Sequence, residues 1–380
     1  MSSRRPTGRD VFAEAVLRLK SLYDEGHRLV VSFSAGKDSG VVLEVAIIAS
    51  QMAGRGPVDV VLRDEEIMFP GTYEYALRVA ERPEVNLVWL VANQPVVNNF
   101  NRVNPYFWVF DPELDPDEWV RKPPSWATYI KEQHIECMTI PDRFPPPPGK
   151  RLFSVVGMRV SESRGRFYGI RSMMGHIKKP NKYGVSNVWP IYDWGDSDIW
   201  KAIAENKWDY NSAYDVMNRF GVNKNRLRIA PPTMSVASAD TLGMASCAWP
   251  QWFDKVAKRL PGVRAVAKFG RRALLPNRRL HETWEECFKR TCIDEAPEWI
   301  RDRSIEAMKK RIKEHSCHAT YALPDVTPCR TCTGNLGCWK ALATNMYLGD
   351  PFSIKQRDLR FVEPEFFRKG AGYWNGTPSF

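Results

Sequence analysis

The chain has 380 residues and carries 55 Lys and Arg against 44 Asp and Glu, a formal net charge of +11. With 43% hydrophobic and 26% charged residues it has a globular composition, which excludes a disordered chain, and its length suits about two domains. No apolar run reaches the ~18–20 residues needed to span a bilayer, and Met1 to Gly8 has no apolar core behind its arginines, so a cytoplasmic protein without membrane span or secretory leader is expected.

Helical spacing of apolar positions predicts a first helix over 11–25, ending near Gly26. A β-rich run over 28–33 predicts the first strand. The turn at 34–39 follows, then a continuously apolar helix over 40–52 stopped by Gly54. A strand over 58–62, a helix over 72–80 and a strand over 85–91 come next. Residues 94–150 form a long excursion rich in Pro and aromatics, among them Tyr106, Phe107, Trp108, Phe110, Trp119 and Trp126. Such a segment reads either as a lid or specificity insert or as a surface elaboration. Strands over 153–157 and 186–190 complete the series. Strand and helix alternating with short connections predict an α/β fold, a parallel sheet with helices on both faces. The division expected is 1–235 for this domain, insert included, and 236–380 for a mainly helical second domain.

The turn Ser34, Ala35, Gly36, Lys37, Asp38, Ser39 sits directly after a strand and opens a helix. That placement offers backbone N–H groups at a helix N-terminus, where the dipole favours an anion. Gly36 lets the backbone approach a phosphate. Ser34 and Ser39 supply hydroxyls, Lys37 a point charge, and Asp38 a carboxylate for a helix cap or Mg²⁺. It is not a Walker A motif, which needs G-x-x-x-x-G-K-[ST].

The string S-x-G-K-D-S after the first strand resembles the PP-loop of the N-type ATP pyrophosphatases and of the phosphoadenylyl-sulfate (PAPS) reductases. Most relatives have Gly where this chain has Ala35, so the loop is expected to persist with less backbone freedom. Three further segments resemble the PAPS-reductase branch. Residues 64–73 (Asp-Glu-Glu-Ile-Met-Phe-Pro-Gly-Thr-Tyr) are similar to its acidic turn beside the nucleotide. Residues 157–164 (Gly-Met-Arg-Val-Ser-Glu-Ser-Arg), with Arg166, resemble a segment whose arginines meet phosphate or sulfate. Residues 189–200 resemble the P-I-x-D-W-x-x-x-D-[IV]-W signature of the closing helix. The resemblance covers about residues 30–220. It implies an adenine nucleotide alpha-hydrolase-like (PP-loop) domain binding ATP and Mg through Ser34, Ala35, Gly36, Lys37, Asp38, Ser39, Asp64, Gly157, Arg159 and Arg164, with Lys37, Asp38 and Arg159 in catalytic roles.

Asp117 to Arg121, Tyr210 to Met217 and Asn225 to Ile229 further resemble IbrA-type phage- and island-borne proteins, often paired with a ParB-like partner protein. The DNA-phosphorothioation protein DndC is a more distant cousin. True PAPS reductases carry a catalytic cysteine in an E-C-G-[IL]-H context on a C-terminal tail, and residues 363–380 here contain none. The chemistry expected is therefore ATP cleavage to AMP and pyrophosphate, with adenylation of a nucleic acid or nucleotide and a link to sulfur transfer. A PAPS or APS reductase-type sulfur enzyme and a nucleotide-sensing regulatory or defence subunit are the alternatives.

Four of the eight cysteines, Cys317, Cys329, Cys332 and Cys338, fall close together. A reducing compartment argues against disulfides, and Cys-x₂-Cys places two thiolates on one turn. Metal binding is expected: a [4Fe-4S] cluster, as the staple of some nucleases and the DndC relatives imply, or Zn with His315 or His318 completing the set. Finally, residues 255–279 hold nine basic residues and no acidic one: Lys255, Lys258, Arg259, Arg264, Lys268, Arg271, Arg272, Arg278 and Arg279. Trp252, Phe253 and Phe269 lie among or beside them, a mixture that suits DNA or RNA.

Overall fold

The computed structural model describes residues 8–130, 140–172, 176–223, 227–231, 239–331, 337–351 and 353. Among these, no helix is long and apolar enough to cross a membrane. The chain divides into two compact units, Met1–Gln94 with Phe110–Ala230, and Pro95–Val109 with Pro231–Phe380.

The first unit is built on six parallel strands in the order β6-β3-β2-β1-β7-β8. They are β1 (Arg28–Phe33), β2 (Val58–Asp64), β3 (Val85–Ala92), β6 (Thr128–Ile130), β7 (Leu152–Val155) and β8 (Val185–Val188). The β-branched runs of the first three strands read as a parallel sheet because the sheet is covered, so most positions are apolar instead of alternating. Val30, Val61, Leu90, Leu152 and Val185 belong to one buried cluster with Ile140 and Phe144. The helices of this unit are α1 (Val11–Asp24) before the first strand, α2 (Lys37–Met52), α3 (Thr72–Ala80) and α4 (Arg164–Ser172) between strands, and α5 (Asp196–Asn206) and α6 (Ala213–Arg219) after the last. Helix α2 is apolar nearly all round and packs against α1, α5 and β1.

Five of the six strands stand where the sequence places them. The sixth, β6, arises inside the aromatic excursion and pairs with β3 through Leu90↔Thr128 to Ala92↔Ile130. Helix α2 begins at Lys37, three residues before the expected start, so Lys37 already belongs to its first turn.

The second unit is mainly helical: α7 (Ala239–Ala248), α8 (Pro250–Arg259), α9 (Val263–Phe269), α10 (Trp284–Lys289), α11 (Glu298–Ser316) and α12 (Trp339–Met346). Its core gathers Phe288, Cys292, Ala307, Leu323, Trp339, Leu342 and Met346. An antiparallel pair, β4 (Pro95–Val97) and β5 (Tyr106–Trp108), also belongs to this unit. Val97, Tyr106 and Trp108 pack there with Trp299 and Ile300. Arg259 donates to the Trp108 carbonyl at 2.8 Å, and Trp299 Nε1 to the Arg102 carbonyl at 3.0 Å.

Candidate functional site

Strand β1 has β2 on one side and β7 on the other. The chain therefore leaves β1 and β7 at a topological switch point, where open parallel sheets present their ligand crevice. The turn at 34–36 and the segment beginning at Gly157 flank it.

The turn is held by its own serine. The Ser39 hydroxyl accepts from the Ser34 and Gly36 N–H groups, both at 3.2 Å, and donates to the Gly36 carbonyl at 3.0 Å. The Ser34 hydroxyl lies 3.1 Å from it. Ala35 is fully buried with φ of 54°, a left-handed conformation that costs a side-chain-bearing residue about 1–2 kcal/mol. The loop persists with Ala, and the reduced freedom takes the form of this strain. Two residues that carried no site role in the sequence hold it in place. Buried Asn211 donates to the Ala35 carbonyl at 3.1 Å and to Thr72 Oγ1 at 2.8 Å. The buried Tyr214 hydroxyl accepts from the Lys37 N–H at 3.0 Å, and burial pushes that phenol well above its ordinary pKa. Ala35→Gly should thus raise stability by about 1 kcal/mol. A urea midpoint that rises at unchanged m-value would show it; a fall would mean the strain is not there.

Four charged groups meet over the first turn of α2. Lys37 Nζ lies 2.9 Å from Asp38 Oδ2 and 3.6 Å from Asp196 Oδ1. Arg159, only 2% exposed, reaches Asp196 Oδ1 at 2.9 Å and Ser161 Oγ at 3.2 Å. Its Nε stands 2.7 Å from Asp38 Oδ1, an ion-pair distance without the alignment of a hydrogen bond, so neither atom has a directed partner. Glu162 pairs with Arg166 and sits 3.5 Å from Arg159. Asp38, Glu162 and Asp196 are hard oxygen donors of the type Mg²⁺ takes, while Lys37 and Arg159 suit phosphate oxygens. Gly157 is explained by packing: a Cβ there would lie 3.0–3.1 Å from the Asp38 carbonyl and the Ser39 nitrogen, so any larger residue would push this segment away from the backbone of α2. The side chain of Arg164 lies outside the described atoms.

Asp64 closes β2 two residues beyond the Phe33↔Leu62 pair, on the same edge of the sheet as the turn. Its side chain is buried and fully engaged by protein. Arg121 donates to both oxygens, Trp89 Nε1 at 2.9 Å, and the Glu66 N–H at 2.9 Å. The Arg121 guanidinium lies over the Tyr73 ring at 4.2 Å. Next door, buried Glu66 accepts from the Phe110 N–H at 2.6 Å and the Val120 N–H at 3.0 Å. The acidic turn thus anchors the returning half of the aromatic excursion. Arg121 was legible as the end of the Asp117–Arg121 motif, but nothing in the spacing said which carboxylate it meets.

In the second unit, Cys329 and Cys338 are buried and Cys317 is exposed at the end of α11, whereas Cys332 lies outside the described residues. The Cys329 N–H donates to the Gly337 carbonyl at 2.9 Å, which folds one knuckle. Cys329 Sγ lies 3.0 Å from the Tyr321 hydroxyl, and Cys338 Sγ 3.1 Å from the Val326 carbonyl. Among the described residues no three metal-ligating side chains gather, and His315 contacts the Tyr321 carbonyl at 2.8 Å. The basic run spans α8, α9 and a 3-10 turn (Gly270–Leu274). Of its aromatics, Phe253 is buried, with the Arg264 guanidinium over its ring at 6.0 Å from the centroid, so its ring is not open to a base; Phe269 is 59% exposed.

Residues 28–111 match the family model described as the phosphoadenosine phosphosulfate reductase domain. The chain is 28% identical over 232 residues to the uncharacterized protein YbdN of Escherichia coli, covering 54% of each, so it spans about half the length of that curated relative. Among solved structures it is similar to FMN adenylyltransferase of Candida glabrata, in complex with FMN and an ATP analogue, with a TM-score of 0.35, 13% identity, and coverage of 56% of this chain and 64% of that one. It is also similar to the tRNA thiolase NcsA of Methanococcus maripaludis with its [4Fe-4S] cluster, with a TM-score of 0.34, 10% identity, and coverage of 68% and 79%.

Proposed function

We propose that the chain is an ATP-dependent enzyme of PAPS-reductase-like type that binds ATP at residues 34–39 and splits it to AMP and pyrophosphate. The observation that carries this reading is the meeting of Lys37, Asp38, Arg159 and Asp196 over the first turn of α2, at the switch point of the sheet. Lys37 and Arg159 neutralise phosphate charge as it develops, and the N–H groups of the turn supply fixed dipoles that need no reorganisation. Asp38 would hold Mg²⁺, which supplies further charge neutralisation when bound. The adenylyl group passes to an oxygen of a nucleic acid or nucleotide as pyrophosphate leaves, and a sulfur nucleophile then displaces AMP, as in a DNA phosphorothioation. DNA or RNA is held by residues 255–279, and a ParB-like partner belongs to the same reading. Incubation with α-labelled ATP, with and without DNA, RNA and PAPS, tests it: AMP with pyrophosphate is expected, and ADP with phosphate would sink it.

A nucleotide-sensing role is favoured by one observation. Lys37 and Arg159 are already paired with Asp38 and Asp196, so an arriving phosphate must displace carboxylates before it is bound. Tight ATP binding with no turnover under any of these conditions would select it.

Cys317, Cys329, Cys332 and Cys338 are assigned to a [4Fe-4S] cluster, with Zn as the alternative, in a structural role. Protein isolated without oxygen should contain iron and acid-labile sulfide in equal amounts, or one zinc. Cys338→Ala should lose the metal and melt the second unit at lower temperature. Metal-free protein that keeps the wild-type melting profile would remove the assignment.

A further inference from the structure

Seven basic residues lie between positions 159 and 192, and Glu162 is the one acidic residue among them. The rest of the first 240 residues carries more acidic than basic groups, so the positive charge of the first unit is concentrated here. The segment starts at Arg159 in the candidate site and runs directly into α4. Residues 165–169 of that helix are all exposed, and Ile170, at 6% exposure, anchors it. A Cβ added at Gly169 would touch nothing within 4 Å, so this face is open.

On the open face stand two large aromatics. Phe167 is 45% and Tyr168 64% exposed, their rings 5.5 Å apart and nearly perpendicular. Beside them, Arg166 pairs with Glu162, and partial burial, then the charge of Arg228, push its pKa down against the pull of Asp38. Arg228 adds a further cation from a separate loop. Rings exposed among cations fit a ligand that brings phosphates and unpaired π faces together. A protein partner would need a continuous apolar patch, which the intervening arginine and glycines deny. A duplex hides the faces of its bases.

We propose that α4, with Arg159, Arg166 and Arg228, draws a single-stranded nucleic acid to the Arg159 cluster, with Phe167 and Tyr168 stacking on its unpaired bases. This rests on the reading of the acceptor as nucleic acid or nucleotide, and names its form. Fluorescence anisotropy with the full chain, using labelled oligo(dT), oligo(rU) and a duplex of equal length, tests it. Single strands should bind more tightly than the duplex. The double variant Phe167→Ala, Tyr168→Ala should lose roughly 10- to 100-fold in single-strand affinity, while its salt slope stays steep because the phosphate contacts remain. Tyr168→Phe should bind as wild type, since the stacking ring is kept. Wild-type affinity in the double variant, or a duplex that binds as tightly and loses as much, overturns the proposal. A wild-type chain that binds no oligonucleotide at low salt removes it together with the nucleic-acid acceptor. AMP and pyrophosphate formation in the same preparation reports the ATP reading separately.

Discussion

Arg121→Met is expected to weaken the local stability of β2 and β3 by about 3 kcal/mol, because breaking a buried pair leaves a charge without its partner. Asp64 is 1% exposed, and Arg121 neutralises it through both oxygens. After the substitution Asp64 keeps the Trp89 indole and the Glu66 N–H, two neutral donors that cannot balance a full negative charge. The guanidinium over Tyr73 is lost as well. Amide exchange in β2 and β3 measures the effect directly, since local opening carries its own free energy. Adding Asp64→Asn should recover part of the loss by removing the orphaned charge. Unchanged protection in Arg121→Met would show that the pair does not hold the acidic turn to the excursion.

Arg159→Met is expected to lower the rate of ATP cleavage by about 10²–10³-fold, the usual cost of removing a preorganised donor from a developing charge. Arg159→Lys should restore little of it, because a lysine cannot form the two-pronged contact that a guanidinium makes with phosphate. The role differs from that of Arg121 in what should move: kcat for pyrophosphate release falls steeply, while the first unit keeps its fold through β1 and β7. Nucleotide affinity and turnover need separate measurement for this reason. Turnover within a factor of about two of wild type would show that the residue props the loop without acting on the phosphates.

The site was legible in the sequence wherever it is local. A strand, a small-residue turn and a helix are adjacent in the chain, so the placement of Ser34 to Ser39 follows from periodicity and turn chemistry. Gly157 and Arg159 were found through a motif, but the reason for Gly157 is a contact with α2 that no spacing shows. Asn211 and Tyr214 act on the loop from about 176 residues away, and a residue's partner at that distance is written only in the fold. The three-residue strands β4, β5 and β6 are too short for any period to emerge; β6 forms on the free edge of β3, and β4 and β5 form on each other. The burial of Phe253 was legible in its i, i+3 pairing with Val256, while the cation over its ring, Arg264, comes from the next helix.

The placement of β4 and β5 bears on how the protein is made. Their apolar side chains, Val97, Tyr106 and Trp108, are satisfied by Trp299 and Ile300, which leave the ribosome much later. At ~5–20 residues per second, the delay between Trp108 and Ile300 is about 10–40 s. For that interval the nascent chain holds an aromatic, strand-forming stretch with nothing to cover it. A stalled or truncated product ending near residue 230 would keep it uncovered, and such fragments should be clients of chaperones or proteases even when the six-stranded sheet has folded.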